Sequence, residues 1–303
     1  MKRISMLTAL SAVAALALAG CGGDSDPLEE DSGSGGSGSV VVGSANFPEA
    51  VLLMEIYAGA LEAKGIEVQT KPNIGAREAY IKGIEEGSLD VLPEYTGNLR
   101  LFYDKNATAS DPEGVYKELQ AALPEKLTVL DYAEAQDKDA VVVTQDTADK
   151  YSLRSIDDLA PVAGDLKLGG PPEWKTRSTG IPGLEKVYGV TFADFVELDA
   201  GGPLTLNALL DGRVDAGNLF TTDPNIAAED LVPLEDPKFL FAAQNVVPLV
   251  RSDAVTDDLE TALNDVSASL DTATLGDLVT RVVRDKEDPQ DVADQFLSDK
   301  GLS

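Results

Sequence analysis

The sequence predicts an α/β protein of two lobes, each built on a mostly parallel sheet with helices on its faces. Three observations carry this. Short apolar runs alternate with stretches of helical period, the alternation occurs in two separate series, and one short pattern recurs in both. The pattern is acidic-Gly-x-aliphatic-Asp-aliphatic, found at Glu86-Gly87-Ser88-Leu89-Asp90-Val91 and again at Asp211-Gly212-Arg213-Val214-Asp215-Ala216. A chain of 303 residues also exceeds what one core fills efficiently, since single cores stop growing at about 250 to 300 residues.

The elements follow in order. Val40 to Gly43 reads as a buried strand. Pro48 to Lys64 reads as a helix with Val51, Met54, Ala58 and Leu61 on one face, ended by Gly65. A strand from Ile66 to Lys71 comes next, then a helix over Arg77 to Glu86 stopped by Gly87, then a strand from Leu89 to Leu92 closed by Pro93. The second series contains strands at Ala140 to Thr144, Leu166 to Gly169, Phe195 to Leu198 and Val214 to Leu219. Helices are placed near Leu184 to Tyr188 and from Pro203 to Asp211. From Asp257 to Lys300 the apolar stripes Leu259-Ala262-Leu263-Val266, Leu275-Leu278-Val279-Val282 and Val292-Ala293-Phe296 predict a helical tail.

Composition removes several chemistries. Histidine is absent, so no Ser-His-Asp or Cys-His triad can be assembled. Cys21 is the sole cysteine, which excludes a disulfide framework and a thiolate metal site. Acidic residues outnumber basic ones 53 to 24, a balance that repels phosphate backbones and makes nucleic acid a poor partner. Carboxylate pairs remain as the ordinary catalytic groups, and neither a cofactor nor a metal is expected.

The N-terminus reads as an export signal. Lys2 and Arg3 precede an apolar stretch from Ile4 to Ala19, sized for a signal-peptide core and too short for a good membrane span. Leu18-Ala19-Gly20-Cys21 resembles the bacterial lipobox, which implies cleavage after residue 20 and a lipid on Cys21. Residues 22–39 are nearly all Gly, Ser, Asp and Glu, a composition that suits a flexible tether. A plain secretory signal with an incidental cysteine is the alternative.

In the two series the repeated pattern feeds strands that run into comparable loops, Pro93-Glu94-Tyr95-Thr96-Gly97 and Asn218-Leu219-Phe220-Thr221-Thr222-Asp223. Each thus carries an aromatic and hydroxyl groups just past a strand's carboxyl end, where open α/β sheets bind ligands. These loops, together with Val42-Gly43-Ser44-Ala45-Asn46-Phe47-Pro48-Glu49, resemble the substrate-binding proteins of osmoprotectant ABC importers, which take glycine betaine, choline and related quaternary amines. The resemblance runs from about Val40 to near the C-terminus. It implies a periplasmic-binding-protein fold, type II-like, with a two-strand hinge: residues 40–138 and 244–303 form the first lobe and 139–243 the second. It also implies an aromatic cage, since a methylated cation cannot donate hydrogen bonds and is held by π faces.

By that resemblance Tyr95 and Phe220 are cage rings, Arg177 in Pro171-Pro172-Glu173-Trp174-Lys175-Thr176-Arg177 grips a ligand carboxylate, and Asn46 and Asn98 are polar positions beside the pocket. Ser44, Thr96, Asp137, Thr222 and Asp223 complete the candidate ligand contacts with Asp139 and Gln244. The last two depart from the family, which has aromatic residues at both places. A carboxylate and an amide there favour a solute with N–H or O–H donors, or a cation needing a charged partner. Each residue has a plainer alternative: Tyr95, Phe220 and Trp174 as core aromatics, Arg177 as a surface cation, Asp137 and Asp139 as solvated loop acids.

The function expected is therefore that of an extracytoplasmic solute-binding protein, lipid-anchored on the outer face of the cytoplasmic membrane. It would be a monomer, not an enzyme, that delivers a small polar or cationic solute to an ABC permease and its ATPase. A solute sensor with the same pocket is one alternative. A glycosidase using a pair among Glu49, Glu94 and Asp223 is another, and nothing in the spacing selects such a pair.

Overall fold

The computed structural model describes residues 38–303, and in it the chain builds two five-stranded sheets. The signal segment, Cys21 and the tether up to residue 37 lie outside the described residues. In chain order the elements are β1 (Val40–Gly43), α1 (Pro48–Ala63), β2 (Val68–Lys71), α2 (Arg77–Glu86), β3 (Val91–Tyr95), α3 (Thr96–Tyr103), α4 (Pro112–Ala122) and β4 (Leu127–Val129). Then follow β5 (Asp139–Thr144), α5 (Gln145–Tyr151), β6 (Lys167–Gly170), α6 (Ile181–Gly183), β7 (Asp194–Glu197), α7 (Pro203–Leu210), β8 (Ala216–Phe220), α8 (Asn225–Ala228) and β9 (Leu231–Pro233). The chain returns through β10 (Val246–Arg251) and ends in α9 (Asp257–Ser269), α10 (Thr272–Val283) and α11 (Pro289–Lys300).

The first sheet has the order β2-β1-β3-β10-β4 and the second β7-β6-β8-β5-β9. In each, one strand runs against the rest: β10 pairs antiparallel with both β3 and β4, and β5 does so with both β8 and β9. The other four strands of each sheet share a direction, as the crossover helices require.

The recurring pattern does the same job twice. Gly87 and Gly212 both take the left-handed backbone, with φ of 86° and 65°, where a side chain would be strained. The Asp that follows then clasps the start of a neighbouring strand. Asp90 accepts from Val41 N at 2.8 Å while its own N–H donates to Val41 O, and Asp215 treats Lys167 identically, with the carboxylate contact again at 2.8 Å.

α1 is buried on nearly every side, although the sequence suggests a single apolar stripe. Leu52, Leu53, Met54, Ile56, Tyr57 and Leu61 are all within 1% of full burial because α9, α10 and α11 pack on the face turned away from the sheet. Each such aliphatic side chain contributes about 1.5–3 kcal/mol. Gly59 lets α11 pack closely here, since a Cβ there would stand 2.6 Å from Leu297 Cδ1 and make that side chain shift.

β3 corrects one expected boundary. Pro93 sits inside the strand, not at its end, directly opposite Pro248 of β10. Neither proline can donate, so the two occupy a position where neither is asked to bond the other.

Two segments connect the sheets, residues 130–138 and 234–245, and they pair with each other. Asp137 N donates to Gln244 O at 3.1 Å, and Gln136 bridges Asn245 antiparallel. α3 rests on the returning segment. A Cβ on Gly97 would lie 2.5 Å from Ala243 O and 3.0 Å from Gln244 Cδ, so the helix backbone lies directly against a carbonyl and a side chain of that segment.

Candidate functional site

Between the lobes lies a cavity of about 240 Å³, at the carboxyl ends of β3 and β8. That is room for one small molecule. The first lobe contributes Asn46, Phe47, Arg77, Tyr80, Tyr95 and Asn98, and the second contributes Trp174, Arg177, Asn218 and Phe220; Asp137 and Asp139 enter from the crossing segment and the start of β5.

The apolar wall is a row of three rings. Phe47, the residue before α1, stands between Tyr95 and Phe220, with ring centroids 6.2 Å and 5.0 Å away. Phe220 in turn lies on Gly201, whose φ of 63° and lack of a Cβ leave space for the ring; a Cβ would stand 2.6 Å from Phe220 Cδ2. Trp174 is 1% exposed and stacks on Phe241 at 6.2 Å, so it is a packed residue of the second lobe that also presents a surface to the cavity.

The cations along the cavity are already engaged. Arg77 makes a bidentate pair with Glu94 at 2.7 and 2.8 Å, and Glu94 also accepts from the Tyr80 hydroxyl at 2.7 Å and Tyr95 N at 2.8 Å. Arg177 reaches across from the second lobe to Glu78 of α2, with contacts of 3.1 and 2.8 Å. Partial burial works to raise the Glu78 carboxyl, but the bonds and charge of Arg177 hold it below its ordinary value.

Behind the rings a buried acid pair joins the lobes. Glu49 accepts from the Tyr95 hydroxyl at 2.6 Å and from the Thr222 hydroxyl at 2.6 Å. Asp137 accepts from Thr222 N at 3.1 Å and Thr221 Oγ1 at 3.2 Å. Burial pushes Glu49 up, opposed in part by hydrogen bonds from Thr222, Tyr95 and Asp137. Burial and then the Glu49 charge push Asp137 well up, so the pair favours holding a proton. Burial, with Glu49 and Asp137 alongside, drives the Tyr95 phenol well above its usual range.

Of the candidates named from the sequence, Asn46, Tyr95, Asn98, Asp137, Asp139, Arg177 and Phe220 line this one cavity. Five other candidates stand elsewhere. Ser44 is fully buried and its hydroxyl accepts from Asn73 N at 3.0 Å, tying the loop after β2. Thr96 accepts from Asn245 N and donates to Ala243 O, and Gln244 accepts from Asn98 N at 2.9 Å; both hold α3 to the crossing segments. Thr222 serves Glu49, and Asp223 bonds Asn225 at 2.8 Å at the start of α8. In strands and tight turns, neighbours of a lining residue face the other way, which is why closeness in sequence misleads here.

Phe47, Tyr80, Arg77 and Asn218 escaped the sequence reading. Asn218 left a signal: an amide among Ala216, Gly217, Leu219 and Phe220, inside a strand otherwise apolar. Among the described residues, no group of three or more His, Cys, Asp or Glu is placed to hold a metal, and no helix is long and apolar enough to cross a membrane.

Residues 38–299 match the family described as the substrate binding domain of the ABC-type glycine betaine transport system. The glycine betaine-binding protein YehZ of Escherichia coli (strain K12) is 32% identical over 276 residues, covering 86% of this chain and 90% of the relative. The solved apo form of that E. coli protein is similar with a TM-score of 0.60 at 29% identity, over 88% of this chain and 99% of the other. A crystal structure of a glycine betaine/carnitine/choline ABC transporter shares the fold with a TM-score of 0.68 at 24% identity, over 87% and 99%.

Proposed function

The chain belongs to the family of substrate-binding domains of ABC-type glycine betaine transport systems, and from that membership we propose that it captures one small cationic or zwitterionic solute by closing its lobes. The observation that carries this reading is the meeting of Tyr95, Phe220 and Arg177, from opposite lobes, around one cavity. Rings on one side attract a cation's apolar surface, by about 0.5–2 kcal/mol each, and a ligand carboxylate would compete with Glu78 for the Arg177 guanidinium. The lobes comprise residues 40–138 with 244–303, and residues 139–243, and closure gives a permease a shape that depends on the solute. The protein works outside the cytoplasm as a monomer, anchored by lipid on Cys21, and hands its solute to the permease and ATPase of an importer.

It is not an enzyme in this reading. Of the three acids that could form a hydrolytic pair, Glu94 is saturated by Arg77, Glu49 lies behind Tyr95 and Thr222, and Asp223 bonds α8. The test is a thermal-shift panel of betaines, choline and other amines, amino acids, polyamines and sugars. A true ligand at a hundred times its dissociation constant adds about 2.7 kcal/mol of stability. Tyr95→Ala and Arg177→Ala should each weaken that ligand at least about tenfold while leaving a folded protein. A panel without any stabilising member would refute the reading, and ligand affinity unchanged in both variants would refute the site.

A further inference from the structure

Beside Phe220, on the same face of the second sheet, the cavity wall is made of acceptors without enough donors. Asn218 is fully buried in β8, and its Nδ2 donates to Asp139 Oδ1 at 3.0 Å and to Leu219 O at 3.3 Å. Both partners can only accept, so the orientation of this amide is fixed. That leaves Asn218 Oδ1 buried with no hydrogen-bond partner. Such an orphaned acceptor is costly in a folded protein and calls for an explanation.

Asp139 adds a charge to the same wall. It is 8% exposed, and its second oxygen accepts from Asn98 Nδ2 at 2.9 Å. Its partners are thus two neutral amides, and it joins none of the ion pairs among the described residues. The nearby guanidiniums of Arg77 and Arg177 are held by Glu94 and Glu78. A buried carboxylate without a cation is unfavourable, and a cation from outside would relieve it.

Charge alone would be met by any ammonium. A quaternary nitrogen, however, has no hydrogen to give, so it would leave Asn218 Oδ1 and the spare lone pairs of Asp139 unsatisfied. A site with buried acceptors discriminates strongly against a ligand lacking the matching donor. Building on the solute-binding reading above, we infer that the preferred solute carries at least one N–H on its cationic end, placed on Asp139 and Asn218, with its alkyl surface against Phe47, Tyr95 and Phe220. The class is therefore protonated tertiary, secondary or primary amines and amidinium-like cations.

The experiment is calorimetric titration of the protein with two matched pairs near neutral pH: choline against N,N-dimethylaminoethanol, and glycine betaine against N,N-dimethylglycine. Each pair exchanges one N-methyl for one N–H. The N–H member of each binding pair should bind about tenfold tighter or better. Asn218→Leu should shrink that ratio to within about threefold, and Asp139→Asn provides the same readout should the leucine variant fail to fold. Equal or tighter binding of the quaternary members to wild type overturns the inference and leaves the solute-binding reading standing, as does a ratio unchanged in the folded variant. If no member of either pair binds, the inference is overturned, and the panel above then decides separately whether the solute-binding reading stands.

Discussion

The two lobes share topology and even the Asp clasp, yet they treat buried charge in opposite ways. In the first, the polar residue on the central strand is Glu94, and Arg77, Tyr80 and a backbone N–H use up both its oxygens. In the second, the central strand carries Asn218, which is only half satisfied and supports Asp139, an acid with no cation. One network is closed on itself and holds the lobe together. The other borders the cavity with an acceptor left over, so the two central strands, whose polar residues stand one position apart in the shared pattern, differ in how fully that residue is paired.

Isosteric neutralisation should expose this most clearly. Glu94→Gln strands the buried Arg77 and should cost about 3–5 kcal/mol in a denaturant titration. Asp139→Asn removes a charge that no cation balances, and should cost less than about 1 kcal/mol. Equal costs would erase the distinction between the lobes.

The seam between the lobes offers the next effect. Glu49 and Asp137 have folded values raised by burial, so the folded protein binds more protons than the unfolded chain. Their favourable contribution is complete below the ordinary carboxylate range and is lost as pH rises through the raised folded values. Relative to Glu49→Gln, wild-type stability should therefore fall as pH rises from that range toward neutrality, by at most about 1.4 kcal/mol per pH unit for one proton. Acids elsewhere cancel in the difference, and parallel melting profiles for the two proteins would remove the pair from the seam's energetics.

The smallest effect concerns the mouth. Glu78 is about half exposed, so Glu78→Ala should move the unfolding midpoint by less than about 1 kcal/mol. Because its bond to Arg177 crosses between lobes, ligand dissociation should still quicken about two- to fivefold in stopped-flow measurements. A stability loss without faster release would place the pair's contribution within one lobe.

Much of this fold is legible in the sequence because periodicity and glycine stops act locally. Gly87 ends α2 and Gly212 follows α7 close to where they are read, and the three stripes after Asp257 become α9, α10 and α11. What escapes has weak local marks. β10 carries Pro248 at its centre, and α3 begins directly after β3 with Gly97 in its first turn and no side-chain cap. For the site, motif resemblance locates the loops but not the facing of each side chain. Phe220 and Asn218 share a face with Asp139 through strand register, whereas Thr96 turns toward the returning segment and Gln244 toward α3. Those facings depend on pairings between residues more than seventy apart, which no local pattern records.

The contact at Gly97 ties recognition to movement. With the Ala243 carbonyl and the Gln244 side chain both packed on Gly97, a displacement of the returning segment has little slack before it reaches the helix. The residue next in line is Asn98, whose N–H is held by Gln244 and whose amide holds Asp139. Under the proposed closing of the lobes, parting them would therefore load the bond that orients the acid, so the hold on a solute would slacken as the gap widens.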